Sequence, residues 1–248
     1  AEMSRCLRVH CAALLFAVVA TGCSAIHRDA GFGDVQSTIH QRTGFQAHWE
    51  QQASADRAVE AEVRELLSQE LTAASAVEIT MLNSRRLQET FAELGIARAD
   101  LLEARLIRNP ILGVEIRFPD RPLELSITQS IMDLLTLRRR SGVASANFEA
   151  AKQHVADKVL ATITEVRAAF YSSQAAEQTR AMRERVVKTA TAAAELAIRQ
   201  HEAGNISDLD LENEQVMFAQ AKLELTLAVG VALGERERLN ALMGLWGT

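Results

Sequence analysis

The residues of this chain whose types could carry a reaction or hold a metal are its histidines, its cysteines and a few clustered carboxylates. Downstream of the leader the histidines are His27, His40, His48, His154 and His201, and they share no ligand spacing with one another or with Cys23. No Gly-rich phosphate loop, nucleophile elbow or His-Glu metal motif occurs. The expectation is therefore no enzyme, no metal and no cofactor. Two sets of polar residues remain. Asp208 and Asp210 follow Gly204-Asn-Ile-Ser207, where the carboxylates could attract cations, or Ser207 or Asp208 could cap the helix that begins there. Glu115, Arg117 and Glu124 alternate with apolar neighbours and could tune ion passage across a polar strand face, or simply meet solvent.

Cys23 suggests a different chemistry. Arg5 and Arg8 precede an apolar run, residues 12–20, of the length of a signal h-region and too short to span a bilayer. The run ends in Ala20-Thr21-Gly22-Cys23, small residues before a cysteine, as at a lipoprotein cleavage site. Residues 1–22 then read as a lipoprotein signal peptide and Cys23 as an acylated N-terminus, with Ser24 favouring sorting to the outer membrane. The alternative is an ordinary export signal with an incidental cysteine. Cleavage would also remove Cys6 and Cys11, leaving no partner for a disulfide. Residues 23–60 contain Gly31, Gly33 and Gly44 and little periodicity, and are expected to form an extended tether behind the lipid anchor.

All three prolines, Pro110, Pro119 and Pro122, lie in one alternating stretch between two long helical patterns. Leu112, Val114, Ile116 and Phe118 share one face of a first arm, and Leu123, Leu125 and Ile127 share one face of a second. The predicted β-hairpin, 110–132, is marginal alone in water. One apolar and one polar face suit a barrel in a membrane, with the apolar set toward lipid and Glu115, Arg117 and Glu124 toward the lumen.

The remaining pattern is helical. Leu87, Phe91, Leu94 and Leu101 recur at spacings of four, three and seven within a helix expected over 75–108, which stops before Asn109-Pro110. A long helix is expected over 137–203, with Val159, Ile163, Val166 and Phe170 at the same spacing. Gly204 opens a turn, 204–206, and a last helix, 207–243, carries Gly230 and Gly234, which predict a kink or break. The helices flanking the hairpin and turn, about 51 and 55 Å at 1.5 Å per residue, together match the long one, whose residues 143–203, free of Gly and Pro, alone span about 92 Å. Two shorter helices stacked end to end can therefore lie antiparallel to one long helix. Scattered Met81, Met132, Met182 and Met217 read as packing residues. Arg138-Arg139-Arg140 reads as a solvated first helical turn, and a formal charge of −5 disfavours nucleic acid.

This order of elements resembles one repeat of the TolC-type outer membrane efflux proteins, heavy-metal and cation efflux members included. The resemblance rests on Asn109-Pro110, Leu125-Ser-Ile-Thr-Gln-Ser-Ile131, Ala168-Ala-Phe-Tyr171, Ala203-Gly-Asn-Ile-Ser-Asp-Leu-Asp-Leu211 and Leu239-Asn-Ala-Leu-Met-Gly-Leu-Trp-Gly247. Where the family has Arg and an aromatic before the tip Ala-Gly, this chain has Gln200-His201. The resemblance implies a mainly α fold of very long antiparallel coiled-coil-like helices, residues 61–248 forming the first repeat, with one hairpin giving two strands to an oligomeric transmembrane barrel. It implies a passive efflux conduit for small solutes, metal cations among them, lipid-anchored in the outer membrane with its helices in the periplasm. Gly204, Asn205, Ile206, Ser207, Asp208, Leu209 and Asp210 would be the tip that docks a periplasmic adaptor fed by an inner-membrane pump. Family members carry two repeats and form trimers with twelve strands; this chain reads as the N-terminal half, so six copies would restore twelve. The competing readings are a non-functional half and a lipid-anchored periplasmic coiled-coil structural or adaptor protein, and the latter has no need of the hairpin.

Overall fold

The computed structural model describes residues 30–49, 53–117 and 121–246. The leader and Cys23 lie outside them. Among the described residues six helices and two strands follow in the order α1 (Phe32–Thr43), α2 (Ala53–Leu67), α3 (Ala73–Asn83), α4 (Arg85–Arg105), β1 (Ile111–Arg117), β2 (Arg121–Thr128), α5 (Ile131–Glu202) and α6 (Asp208–Leu242). The fold is mainly α with one antiparallel hairpin.

The long helix organises everything else. Its 72 residues span about 108 Å, and its Val155, Val159, Val166 and Phe170 are buried in one core with Leu87, Phe91 and Leu94 of α4. Ion pairs mark the antiparallel register: Arg86 to Glu165 at 3.0 Å and Lys158 to Glu93 at 2.6 Å. Beyond the core, α6 takes over as the partner of α5, joined by the Arg183–Glu224 pair. The expected arrangement of two helices end to end beside one holds. Their joint is built from α3 and the chain beyond α6. The Asn83 carboxamide donates to the carbonyls of Met243 and Gly244, both at 3.1 Å. Gly244 has φ +73°, and a Cβ there would stand 2.4 Å from the Asn83 carbonyl oxygen.

Several boundaries differ from the sequence reading. The stretch 23–60 is not an extended tether where it is described: α1 and most of α2 occupy it. Gly31 and Gly44, read as loop signals, are left-handed caps bounding α1. Val35 and Ile39, four residues apart, drive that helix into the core. Phe32 meets Phe91 edge to face at 5.0 Å, and Lys152 of α5 binds Asp34 at 2.8 Å. Burial alone would lower the Lys152 pKa, but hydrogen bonds to Asp34 and Glu149 outweigh it and hold the ammonium above its ordinary value.

The helix expected over 75–108 is two, parted at Ser84, whose backbone is extended so that Asn83 can reach Met243 and Gly244. The long helix starts at Ile131 rather than 137, because the Ser130 hydroxyl accepts from the Asp133 N–H. Arg138-Arg139-Arg140 consequently lies in its third turn, and the second hairpin arm ends at Thr128. The last helix is unbroken at Gly230 and Gly234, with Ala232 between them buried. Met81 is buried as expected of a packing residue, whereas Met132, Met182 and Met217 are exposed.

Replacing Asn83 by Ala is expected to destabilise the chain by about 1 kcal/mol through the lost hydrogen bonds. Gly244→Ala, which must leave the left-handed region and clear a backbone oxygen, should cost more, about 2–3 kcal/mol. Urea midpoints at constant slope measure both, and equal costs would mean that the joint relaxes freely.

Candidate functional site

Chemistry-bearing residues gather at the two ends of α5. At one end is the hairpin. Its register pairs Leu112 with Ile127 and Val114 with Leu125, so these four positions lie on one face. All four are exposed, from 57 % to 74 %. Gly113 faces Ser126 across the ladder, and a Cβ on it would stand 2.4 Å from the Ser126 Oγ. Glu115 and Glu124 are register partners on the other face, and the ladder is irregular between Glu115 and Arg117. For Ile116, Arg117, Leu123 and Glu124 only the backbone is described, and Phe118 lies outside the described residues. The strands have seven and eight residues, shorter than the 9–11 of a tilted spanning strand.

Where the hairpin joins the helices, Arg140 reaches back from α5. Its Nε donates to the Ala104 carbonyl at 3.1 Å and a terminal nitrogen to the Leu106 carbonyl at 2.9 Å. Carbonyls left over at the C-terminal end of α4 are thereby satisfied by a cation, which the helix dipole also favours. Asp133, mostly buried, sits 3.8 Å from both Arg140 and Arg108. This clasp was not legible from sequence, where the three arginines read as a solvated turn.

The other end is the tip. Gly204 has φ +75°, its N–H donates to the His201 carbonyl, and the Asn205 N–H donates to the Gln200 carbonyl, each at 2.8 Å. These two bonds form a Schellman closure of α5. A capping box opens α6: the Ser207 Oγ accepts from the Asp210 N–H at 3.2 Å, and the Asp210 carboxylate accepts from the Ser207 N–H at 3.2 Å. The same carboxylate accepts from the Ser207 hydroxyl at 2.7 Å. Asp210 thus has a structural role that residue type alone did not assign. His201, where the family pattern has an aromatic, lies 2.6 Å from Asp208 across the turn. Ile206 is half-buried and Leu209 exposed. Among the described residues no group of His, Cys, Asp and Glu could hold a metal ion.

Hydrogen bonds from the Ser207 hydroxyl and then from its N–H hold the Asp210 carboxyl below the ordinary carboxylate range. A depressed folded-state value means that this stabilisation is complete above the unfolded Asp pKa, about 4, and is lost as pH falls through the lower folded value. The protection factor of the Asp210 amide is expected to hold from neutral pH to about 4 and to drop below it. Ser207→Ala should lower it about fivefold at neutral pH. An amide indifferent to both changes would show that the box does not close the turn.

A family model described as outer membrane efflux protein matches residues 121–245, half of the chain. No curated protein matches it. Among solved structures, the fold is similar to CusC, in crystal structures concerned with folding and transmembrane channel formation. That match has 14 % identity and a TM-score of 0.58, over 71 % of this chain and 44 % of that one. A membrane protein from Pseudomonas aeruginosa aligns at 18 % identity and a TM-score of 0.58, over 74 % and 45 %. The outer-membrane channel OprN aligns at 20 % and 0.55, over 70 % and 43 %. The chain spans less than half the length of each. The family match covers the second strand, the long helix, the tip and the last helix, and on that ground the chain belongs to the outer membrane efflux proteins.

Proposed function

We propose that the chain is a wall element of an outer membrane efflux conduit, through which small solutes leave the periplasm. The observation that carries this reading is the exposed apolar face made by Leu112–Ile127 and Val114–Leu125 on a hairpin of only two strands. In water such a face has no stable use, whereas side-by-side hairpins in a bilayer satisfy both the apolar face and the open strand edges.

The helices fit the same reading. Leu223, Leu227 and Val231 of α6 are exposed, and an 18-residue window of α6 has a mean hydropathy of 1.5 with 17 % of it buried. Running antiparallel to α5, that helix would meet further helices of a tunnel wall rather than lipid. Two strands per chain would build a twelve-stranded barrel from six copies, or from three protomers that each have a second repeat. Cys23 would anchor the N-terminus to the outer membrane, and the 204–210 turn would dock a periplasmic adaptor served by an inner-membrane pump. Glu115, Arg117 and Glu124 would line the lumen, where carboxylates favour cations, metal cations included.

Leu125→Asp puts a charge on the lipid-facing side and is expected to remove the chain from the outer membrane fraction; Ser126→Asp, on the other face, should leave it there. Fractionation with heat-modifiability on gels measures both. Equal integration of the two variants would sink the reading.

A further inference from the structure

The strands are too short for the layer they must cross. Eight residues at about 3.3 Å, tilted by about 40°, rise about 20 Å, whereas the apolar band of a barrel is about 25 Å tall. The missing 5 Å is about one helical turn. At the hairpin root the first two turns of α5 expose Ile131, Met132 and Leu135, and the chain leaving α4 exposes Leu106 and Ile107. No soluble helix start needs so much bare apolar surface, and it completes the band.

Arginines follow at once. Arg138 and Arg139 stand three and four residues beyond Leu135, and Arg105 immediately precedes Leu106. All three are exposed, and among the described residues no ion pair engages them. Asp100 and Glu103, farther along α4, likewise form no ion pair there, and Asp133 is held between Arg108 and Arg140. Helical side chains lean toward the N-terminus, so Arg138 and Arg139 point back toward the bilayer, within reach of its phosphate layer.

We propose that this root is a basic collar, Arg138 and Arg139, that binds the phosphates of anionic phospholipids in the leaflet facing the helices. It rests on the hairpin crossing the membrane. Guanidinium groups suit the ligand because they pair with phosphate oxygens through two parallel N–H donors. The collar fixes the depth of the hairpin, with apolar residues above it and the Arg140 clasp behind it.

The test reconstitutes the full chain by detergent dilution into vesicles of phosphatidylcholine, with or without phosphatidylglycerol, and measures co-flotation and trypsin cleavage after Arg117. Phosphatidylglycerol should strengthen flotation, and Arg138→Gln with Arg139→Gln should erase that gain at about fivefold per arginine. Arg185→Gln with Lys188→Gln, equal in charge but near the tip, should leave the gain intact. Protection of Arg117 without a lipid-charge dependence, or an equal loss in both double variants, overturns the collar alone. Undiminished cleavage after Arg117 on either vesicle overturns the membrane reading and the collar with it.

Discussion

The rest of the structure depends on one constraint of length. An unbroken 72-residue helix cannot bury its apolar stripe against itself, and no other helix among the described residues is as long. The stripe is covered by two partners in sequence, α4 and then α6, so their joint falls against the middle of α5. That is where the core is. Val155, Val159 and Val166 share one buried cluster with Leu87 and Phe91 and with Leu239 and Met243. The Asn83 carboxamide, bridging to the Met243 and Gly244 carbonyls, makes the two partners behave as one helix with a step in it.

Much of this was legible because helix periodicity is a local signal. Phe170 and Val166, or Leu87 and Phe91, announce their burial by spacing alone, and lengths at 1.5 Å per residue announce the stacking. Ser84 carries no such announcement. It is neither Gly nor Pro, and the break there exists because Asn83 has a distant partner at residues 243 and 244. The glycines misled in the other direction. Gly31 and Gly44 terminate a helix that packs, while Gly230 and Gly234 do not interrupt one, because Ala232 between them is pressed into the interface with α5. A glycine reports what backbone is permitted, and tertiary contact decides whether the permission is used.

The two ends of α5 were legible to different depths for the same reason. The tip closes through bonds between residues three to five apart, Asn205 to Gln200 and Ser207 to Asp210, so its chemistry is nearly written in the local sequence. The capping role of Asp210 and the contact of His201 with Asp208 required the structure, since both need the turn in place. At the hairpin root the deciding contact is Arg140 to Ala104 and Leu106, more than thirty residues back. No spacing rule could pair them.

The hairpin and the helices divide the physical work unequally. The helical part satisfies its own backbone and owns a core. The hairpin satisfies only the facing edges of its two strands and exposes apolar side chains at Leu112, Val114, Leu125 and Ile127. Its outer edges and its apolar face remain open to further strands and to lipid. The helices hold the hairpin root in place through the Arg140 clasp.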